Sequence, residues 1–155
     1  MCSSNYYLKT RLNSKNTTIA VMPFSGIGVS QSTKFLLADE LTNYIFIDKK
    51  ISVIDRSQVN FILHQAGIKN PYSISKNQII QISDSLKANV IALGFISKKS
   101  VLRELENSLY SISITVRLLD GKSAAVIGII HNSQIVEQVQ FDSVKNMLRE
   151  IVKKI

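Results

Sequence analysis

The chain has 155 residues, of which 45% are hydrophobic and 19% are charged. This composition is typical of one globular domain and excludes disorder of the chain as a whole. No apolar run approaches the length of a membrane-spanning helix, and residues 1–10 lack the apolar stretch of a signal peptide. The net charge of +8 fits a lysine-rich solubilising surface, an anionic membrane surface, a nucleic acid or an acidic protein partner.

Nucleic acid is not favoured among these partners. Aromatic residues make up 7% of the chain, and there is no Trp. The alternating segment described below carries no aromatic pair of the kind that stacks RNA bases. We therefore expect no nucleic-acid partner.

The N-terminal residues 1–17 are polar and basic and follow neither the helical nor the strand period. They predict a tether or loosely docked arm in front of a single domain at 18–155. Tyr6, Tyr7 and Leu8 could instead pack on the domain or start an edge strand.

Cys2 is the only cysteine, so no internal disulfide can form. A cysteine followed by Ser3 and Ser4 is how a processed bacterial lipoprotein begins, with the signal removed just before the cysteine. An ordinary exposed cysteine is the alternative. The position of the residue leaves both open.

The first regular pattern is a strand, a helix and a strand. Residues 18–24 are apolar on both faces, as in a central buried strand. A flexible loop, 25–31, leads to a helix over 32–46 with Ser32 as its N-cap. Residues 51–54 form the second strand, which completes a βαβ unit.

Two more helices and a strand follow. One helix starts near Ser57 and ends at Gly67, where a C-terminal glycine is expected. The next begins near Ser75 and ends near Asn89, in front of a buried strand at 90–96. Because helical crossovers join these first three strands, they are expected to pair in parallel.

The last part of the chain changes pattern. Residues 109–119 alternate strictly between apolar and polar, which predicts a strand with one solvent-facing side. A turn at Asp120-Gly121-Lys122 leads to a returning strand, 124–130, and a final amphipathic helix, 141–152. The predicted fold is α/β, a mixed five-stranded sheet with helices packed on it, in the order β-α-β-α-α-β-β-β-α.

Gly26-Ile27-Gly28 lies between a strand and a helix, the position of a phosphate-binding loop. Gln31 stands where the dinucleotide fingerprint requires a third glycine, and the Gly-Lys-Ser/Thr of a P-loop is absent. The loop is therefore interpreted as a flexible connection, with anion binding as the alternative.

No other motif indicates catalysis. His64 and His131 have no nearby cysteine or spaced carboxylates, and no GxSxG is present, so we expect no catalytic residue, metal or cofactor. Asp55-Arg56 follows a strand end, where ligands of α/β sheets often lie. Asp55 or Ser57 could equally cap the next helix while Arg56 pairs locally, and this interpretation is preferred.

Four phrases occur in a characteristic order: AVMPF at 20–24, VIDR at 53–56, ANVIALG at 88–94 and RLLDG at 117–121. Together they resemble the curli-secretion-channel lipoprotein family. Its superfamily is similar to the penicillin-binding-protein activator lipoproteins and to the N-terminal domain of the Tol–Pal β-propeller protein. The resemblance covers about residues 18–132.

The resemblance implies a non-enzymatic periplasmic lipoprotein, anchored to the outer membrane by a lipid on Cys2, with Ser3 permitting outer-membrane sorting. The channel-forming relatives insert long amphipathic hairpins. The connection at 96–109 is short and charged here. It is not expected to supply membrane strands, so no pore is expected.

The predicted function is a protein–protein interaction module of the bacterial cell envelope, whose partner is an envelope protein or a second copy of the chain. Two alternatives are an oligomeric component of an outer-membrane curli-type secretion channel and a nucleotide- or anion-binding protein using Gly26–Gly28. Contact surfaces are sought in the loops 25–31 and 98–107, on the polar side of 109–119 and in the basic N-terminal arm. The candidate contact residues are Ser25, Gly26, Gly28, Arg56, Lys98, Lys99, Arg103 and Arg117.

Overall fold

A computed structural model describes residues 2–104 and 107–155, with the side chains of 3–101 and 109–155. These residues form seven strands: β1 Cys2–Leu8, β2 Thr18–Val21, β3 Ser25–Ile27, β4 Ser52–Val53, β5 Val90–Glu104, β6 Asn107–Asp120 and β7 Val126–Val136. The α-helices are α1 Gln31–Lys49, α2 Arg56–Gln65, α3 Lys76–Leu86 and α4 Phe141–Val152, with a 3₁₀ turn at Pro71–Ser73.

The strands build one mixed sheet in the order β1-β7-β6-β5-β2-β4, with β3 also beside β5. β2 pairs in parallel with β4 and β5, while β5, β6, β7 and β1 pair antiparallel. The α/β class, the mixed sheet and the parallel start are confirmed. The strand count is seven rather than five, because β1 and β3 join the predicted set.

Helices cover the sheet on both sides. α1 and α4 pack on one side, against Ile19 and Val21 of β2 and the apolar side of β6. α2 and α3 pack on the other side, against Ala20 of β2 and against Met22, the residue that follows β2. This double cover explains why the first buried strand is apolar on both faces.

The N-terminal segment is part of the sheet. Residues 2–8, which we interpreted as tether or arm, pair with β7 in a register that places Cys2 opposite Gln134 and Leu8 opposite Gly128. Leu8 packs against the core between the sheet and α1/α4, and the Lys154 ammonium lies 4.9 Å from the Tyr6 ring centroid. The side chains of residues 3–7 are exposed and that of Leu8 is half-buried, so this edge strand has no apolar alternation to detect. The division into 1–17 and 18–155 stays a prediction.

The predicted loop 98–107 is also corrected. β5 continues to Glu104 and β6 begins at Asn107, so the two strands form a long hairpin whose residues 105–106 lie outside the described part. Residues 97–108 show no regular apolar alternation, so the sequence pattern does not mark this part of the two strands. In the predicted loop 25–31, Ser25–Ile27 likewise form β3.

Two local predictions need adjustment. α1 begins at Gln31 and its N-cap is Ser30, whose side chain accepts from the Thr33 amide, rather than Ser32. His131 lies in the middle of β7 rather than at a strand end. The other caps are confirmed: Ser75 forms a capping box with Gln78, and Gly67 has a φ of +68° after α2.

Candidate interaction surfaces

The solvent side of α1 carries large apolar side chains. Phe35, Leu36, Phe46 and Ile47 are each between 45% and 66% exposed. At 100° per residue they fall within a sector of about 120°, so they share one side, which we call the outer face of α1. Asp39 and Asn43 lie between the two apolar pairs.

The opposite side of α1 is buried. Leu37, Leu41, Tyr44 and Ile45 pack in the core with α4 and the sheet. α1 therefore has apolar residues nearly all the way round, a pattern typical of a helix enclosed by protein. The sequence pattern alone does not separate the two sides, because Phe35 and Leu36 belong to the same broad pattern of apolar residues at helical spacing as the buried residues Leu41 and Ile45.

A second surface lies on the side of the sheet that carries α2 and α3. On this side the described side chains of β7, of β1 and of β6 up to Arg117 are exposed or half-buried, and we call this surface the open sheet face. The register aligns Ser3, Ser133, Ser113 and Ser97 in one row across four strands. His131 Nδ1 lies 2.8 Å from Thr115 Oγ1 in the adjacent row. The predicted polar side of 109–119 is confirmed as this face.

Arg117 lies at the edge of the open sheet face, where its side chain contacts Tyr72 of the 3₁₀ turn. Its guanidinium lies 4.4 Å from the Tyr72 ring centroid, and Nη2 donates to the Tyr72 carbonyl at 3.1 Å. The side chain thus fastens the 3₁₀ turn to the sheet. Its role as a contact residue stays a prediction.

Arg56 is half-buried where α2 meets β2 and α1. Nη1 donates to the Val21 carbonyl of β2, and Nε donates to Asp39 Oδ1 of α1 at 3.1 Å. The Arg56 side chain is 15% exposed and that of Asp39 is 53% exposed. Burial lowers the pKa of the guanidinium, and the bond to Asp39 opposes that shift. The two hydrogen-bond partners of Arg56 therefore lie on α1 and β2, whereas the sequence predicted a partner close to it along the chain.

The two glycines of 25–31 are explained by packing against β5. A Cβ on Gly26 would lie 2.5 Å from the Ile96 carbonyl oxygen, and one on Gly28, where φ is +78°, would lie 2.3 Å from that of Lys98. Ser25 Oγ donates to Asn70 Oδ1 at 2.5 Å. The adjoining cleft of about 230 Å³ is below the 300–1,000 Å³ usual for small-molecule sites.

The predicted basic contact residues lie on the β5–β6 hairpin. Lys98 is half-buried, with its ammonium 4.7 Å from the Tyr110 ring centroid, and Lys99 is exposed. The side chain of Arg103 lies outside the described residues. The structure brings Lys98, Lys99 and Gly28 to one end of the sheet, whereas Arg56 is half-buried between α1, α2 and β2.

Asp55 is the N-cap of α2, as predicted. Its Oδ1 accepts from the Ser57 hydroxyl and from the Ser57 amide, the latter at 2.8 Å. These hydrogen bonds hold the pKa of Asp55 below its ordinary value, and the bond from the Ser57 hydroxyl makes the largest contribution. Because the folded pKa is depressed, this stabilisation is present above the ordinary pKa and is lost as pH falls through the folded value.

The substitution Asp55→Asn is expected to keep the cap and to reduce its pH dependence, because asparagine caps as well as aspartate but does not titrate. The fall in Tm between about pH 7 and about pH 3 should be smaller in the variant. Thermal melts followed by circular dichroism at the two pH values measure this. An equal fall in both proteins would contradict it.

Two classes of site were not found in the described part of the chain. No group of three or more His, Cys, Asp or Glu side chains there could hold a metal ion. None of the helices in residues 2–104 and 107–155 is both long enough and apolar enough to span a bilayer.

Comparison with sequence-family models and with curated proteins gave no match. Solved structures gave several matches in fold. PelC from Paraburkholderia phytofirmans, solved as a dodecamer, has a TM-score of 0.68 at 11% identity, over 98% of this chain and 95% of that one. Lipoprotein GNA1162 from Neisseria meningitidis has a TM-score of 0.64 at 15% identity, over 89% and 96%.

The C-terminal domain of LpoB from Salmonella enterica is also similar, with a TM-score of 0.55 at 12% identity over 79% of this chain and 83% of that one. Identities this low establish the fold alone. The chain shares the fold of PelC, GNA1162 and LpoB, and membership of the curli-secretion-channel family stays a prediction.

Proposed function

We propose that this chain is a non-enzymatic protein-binding domain of the bacterial cell envelope, held at the outer membrane on the periplasmic side by a lipid on Cys2. The outer face of α1 carries the proposal. Four large apolar side chains on one helix, exposed beside a complete core, mark a surface that another protein covers. The shared fold with lipoprotein GNA1162 supports the envelope location.

The binding surface is tested by capture from envelope extracts with the lipidated chain. A specific envelope protein is expected to be retained by the original chain and lost by the double variant Phe46→Ser, Ile47→Ser. Phe61→Ser is the matched control, because Phe61 is an equally exposed aromatic residue on α2. Equal capture by all three chains, or no enrichment by any, would overturn the assignment.

Assembly of the chain with itself is the second candidate, as in the oligomeric component of a curli-type secretion channel. The similarity over 98% of the chain to PelC, solved as a dodecamer, favours it. If copies meet through the outer face of α1, sedimentation should give a mass several times 17.3 kDa, reduced to the monomer by Phe46→Ser, Ile47→Ser. A monomeric original chain would exclude this candidate.

The lipid anchor is tested separately. Intact-mass spectrometry of the chain from the envelope fraction should show a lipid-modified cysteine at position 2. The substitution Cys2→Ser should move the protein into the soluble periplasmic fraction. Recovery of an unmodified chain from the cytosol would contradict the anchor.

A further inference from the structure

The register of the sheet fixes where Cys2 lies. Cys2 pairs with Gln134 of β7, Gln134 pairs with Ile112 of β6, and Ile112 pairs with Lys98 of β5. Cys2 is thus the first residue of an edge strand, level with three other residues across the sheet. A lipid on this residue would have no linker between it and the folded domain.

Exposed apolar side chains lie around this level. Ile135 is one residue beyond Gln134 on β7, and Val101 is three residues beyond Lys98, at the bulge of β5. Ile27 pairs with Ser97, one residue before that level. All three side chains are about half exposed. We call them the apolar end of the sheet.

We propose that the apolar end of the sheet rests on the phospholipid bilayer, with Ile27, Val101 and Ile135 at the boundary between headgroups and acyl chains. The proposal rests on the proposed lipid at Cys2. An acyl anchor brings the adjoining protein surface into the interface, where even a few apolar side chains add to membrane affinity. Lys98 and Lys99 lie at the same end of the sheet, and their positive charges attract anionic headgroups.

The hairpin adds a geometric reason. β5 runs six residues past Lys98 to Glu104, about 20 Å at 3.3 Å per residue. With Cys2 at the bilayer surface, this strand pair must lie along the interface or enter it. The bulge between Ser100 and Leu102 bends the strand at the level where that turn is needed.

The chain suits a direct test because it has one cysteine and no Trp. Cys2 is coupled to a maleimide lipid in vesicles of phosphatidylethanolamine and phosphatidylglycerol that contain brominated acyl chains. The reporter is Ile135→Trp, and the matched control is Val126→Trp. These positions are 48% and 43% exposed, at opposite ends of β7, about 30 Å apart. Circular dichroism checks the fold of each variant.

Bromine is expected to quench roughly half or more of the Ile135→Trp emission and to leave Val126→Trp nearly unchanged, since only the first position lies at the interface. Val101→Trp is the second reporter, should Ile135→Trp disturb folding. Equal quenching at both ends of β7 would overturn the orientation. No quenching at 101 or 135 would overturn the membrane contact and leave that end free for a protein.

The result does not depend on the cellular fate of Cys2, because the coupling is chemical. Failure of the proposed lipidation appears only in the mass of the chain from cells, whereas failure of this inference appears only in the quenching.

Discussion

The substitution Gly94→Ala is expected to lower the free energy of unfolding by about 3 kcal/mol. Gly94 is buried in β5, and a Cβ built there would lie 2.3 Å from the Phe24 ring. The ring is 3% exposed and packs in the core with α1 and α4, so it has no room to withdraw. Urea denaturation measures the loss as a lower midpoint at an unchanged slope.

Two further variants test whether the clash with the Phe24 ring is the cause of this loss. Gly67→Ala is the control, because its φ is +68° but no atom lies within 4 Å of the added Cβ; it should cost only about 1 kcal/mol. In the double variant Gly94→Ala, Phe24→Leu, the removed ring should relieve the clash. The combined loss should then be smaller than the sum of the single losses by about 1 kcal/mol or more. Additive losses would show that the ring does not limit this position.

Replacement of Arg56 by alanine is expected to cost about 3 kcal/mol, again by urea denaturation. The substitution removes the donor to the Val21 carbonyl and the packed aliphatic stem between β2, α1 and α2. Arg56→Lys should recover only part of the loss, because an ammonium cannot donate in the two fixed directions of the guanidinium.

Asp39→Asn is the matched control for the ion pair. Asp39 is more than half exposed, and surface pairs contribute about 0–1 kcal/mol, so this substitution should cost less than about 1 kcal/mol. If it costs as much as Arg56→Ala, the ion pair rather than the buried carbonyl contact stabilises this junction.

The sequence predicted two kinds of element correctly: those with one apolar and one polar face, and those whose ends carry a capping residue. The strict alternation of 109–119 gave β6, and Ser75 and Gly67 gave helix ends, because each reports a local physical requirement. β1 and β3 escaped prediction for the opposite reason. β1 is a polar edge strand with little buried surface, and β3 has three residues, so tertiary pairing alone defines them.

The candidate site was harder to predict, because charge was used as the sign of a contact surface. In the structure the half-buried arginines Arg56 and Arg117 instead hold neighbouring elements together. The outer face of α1 did have a signal in the sequence. Residues 44–47 are Tyr-Ile-Phe-Ile, and four consecutive large apolar residues on a helix point around most of its circumference. Some of them must therefore face away from the core.

The pairing of β1 with β7 also constrains the order in which the chain can fold. Cys2 meets its partner about 130 residues along the chain, and only α4 follows β7. Contacts between such distant residues form late, because the loop between them must close first. The N-terminal residues therefore stay unpaired until β7 is available to them. During that interval Cys2, the proposed site of the lipid, is not yet held in the edge strand.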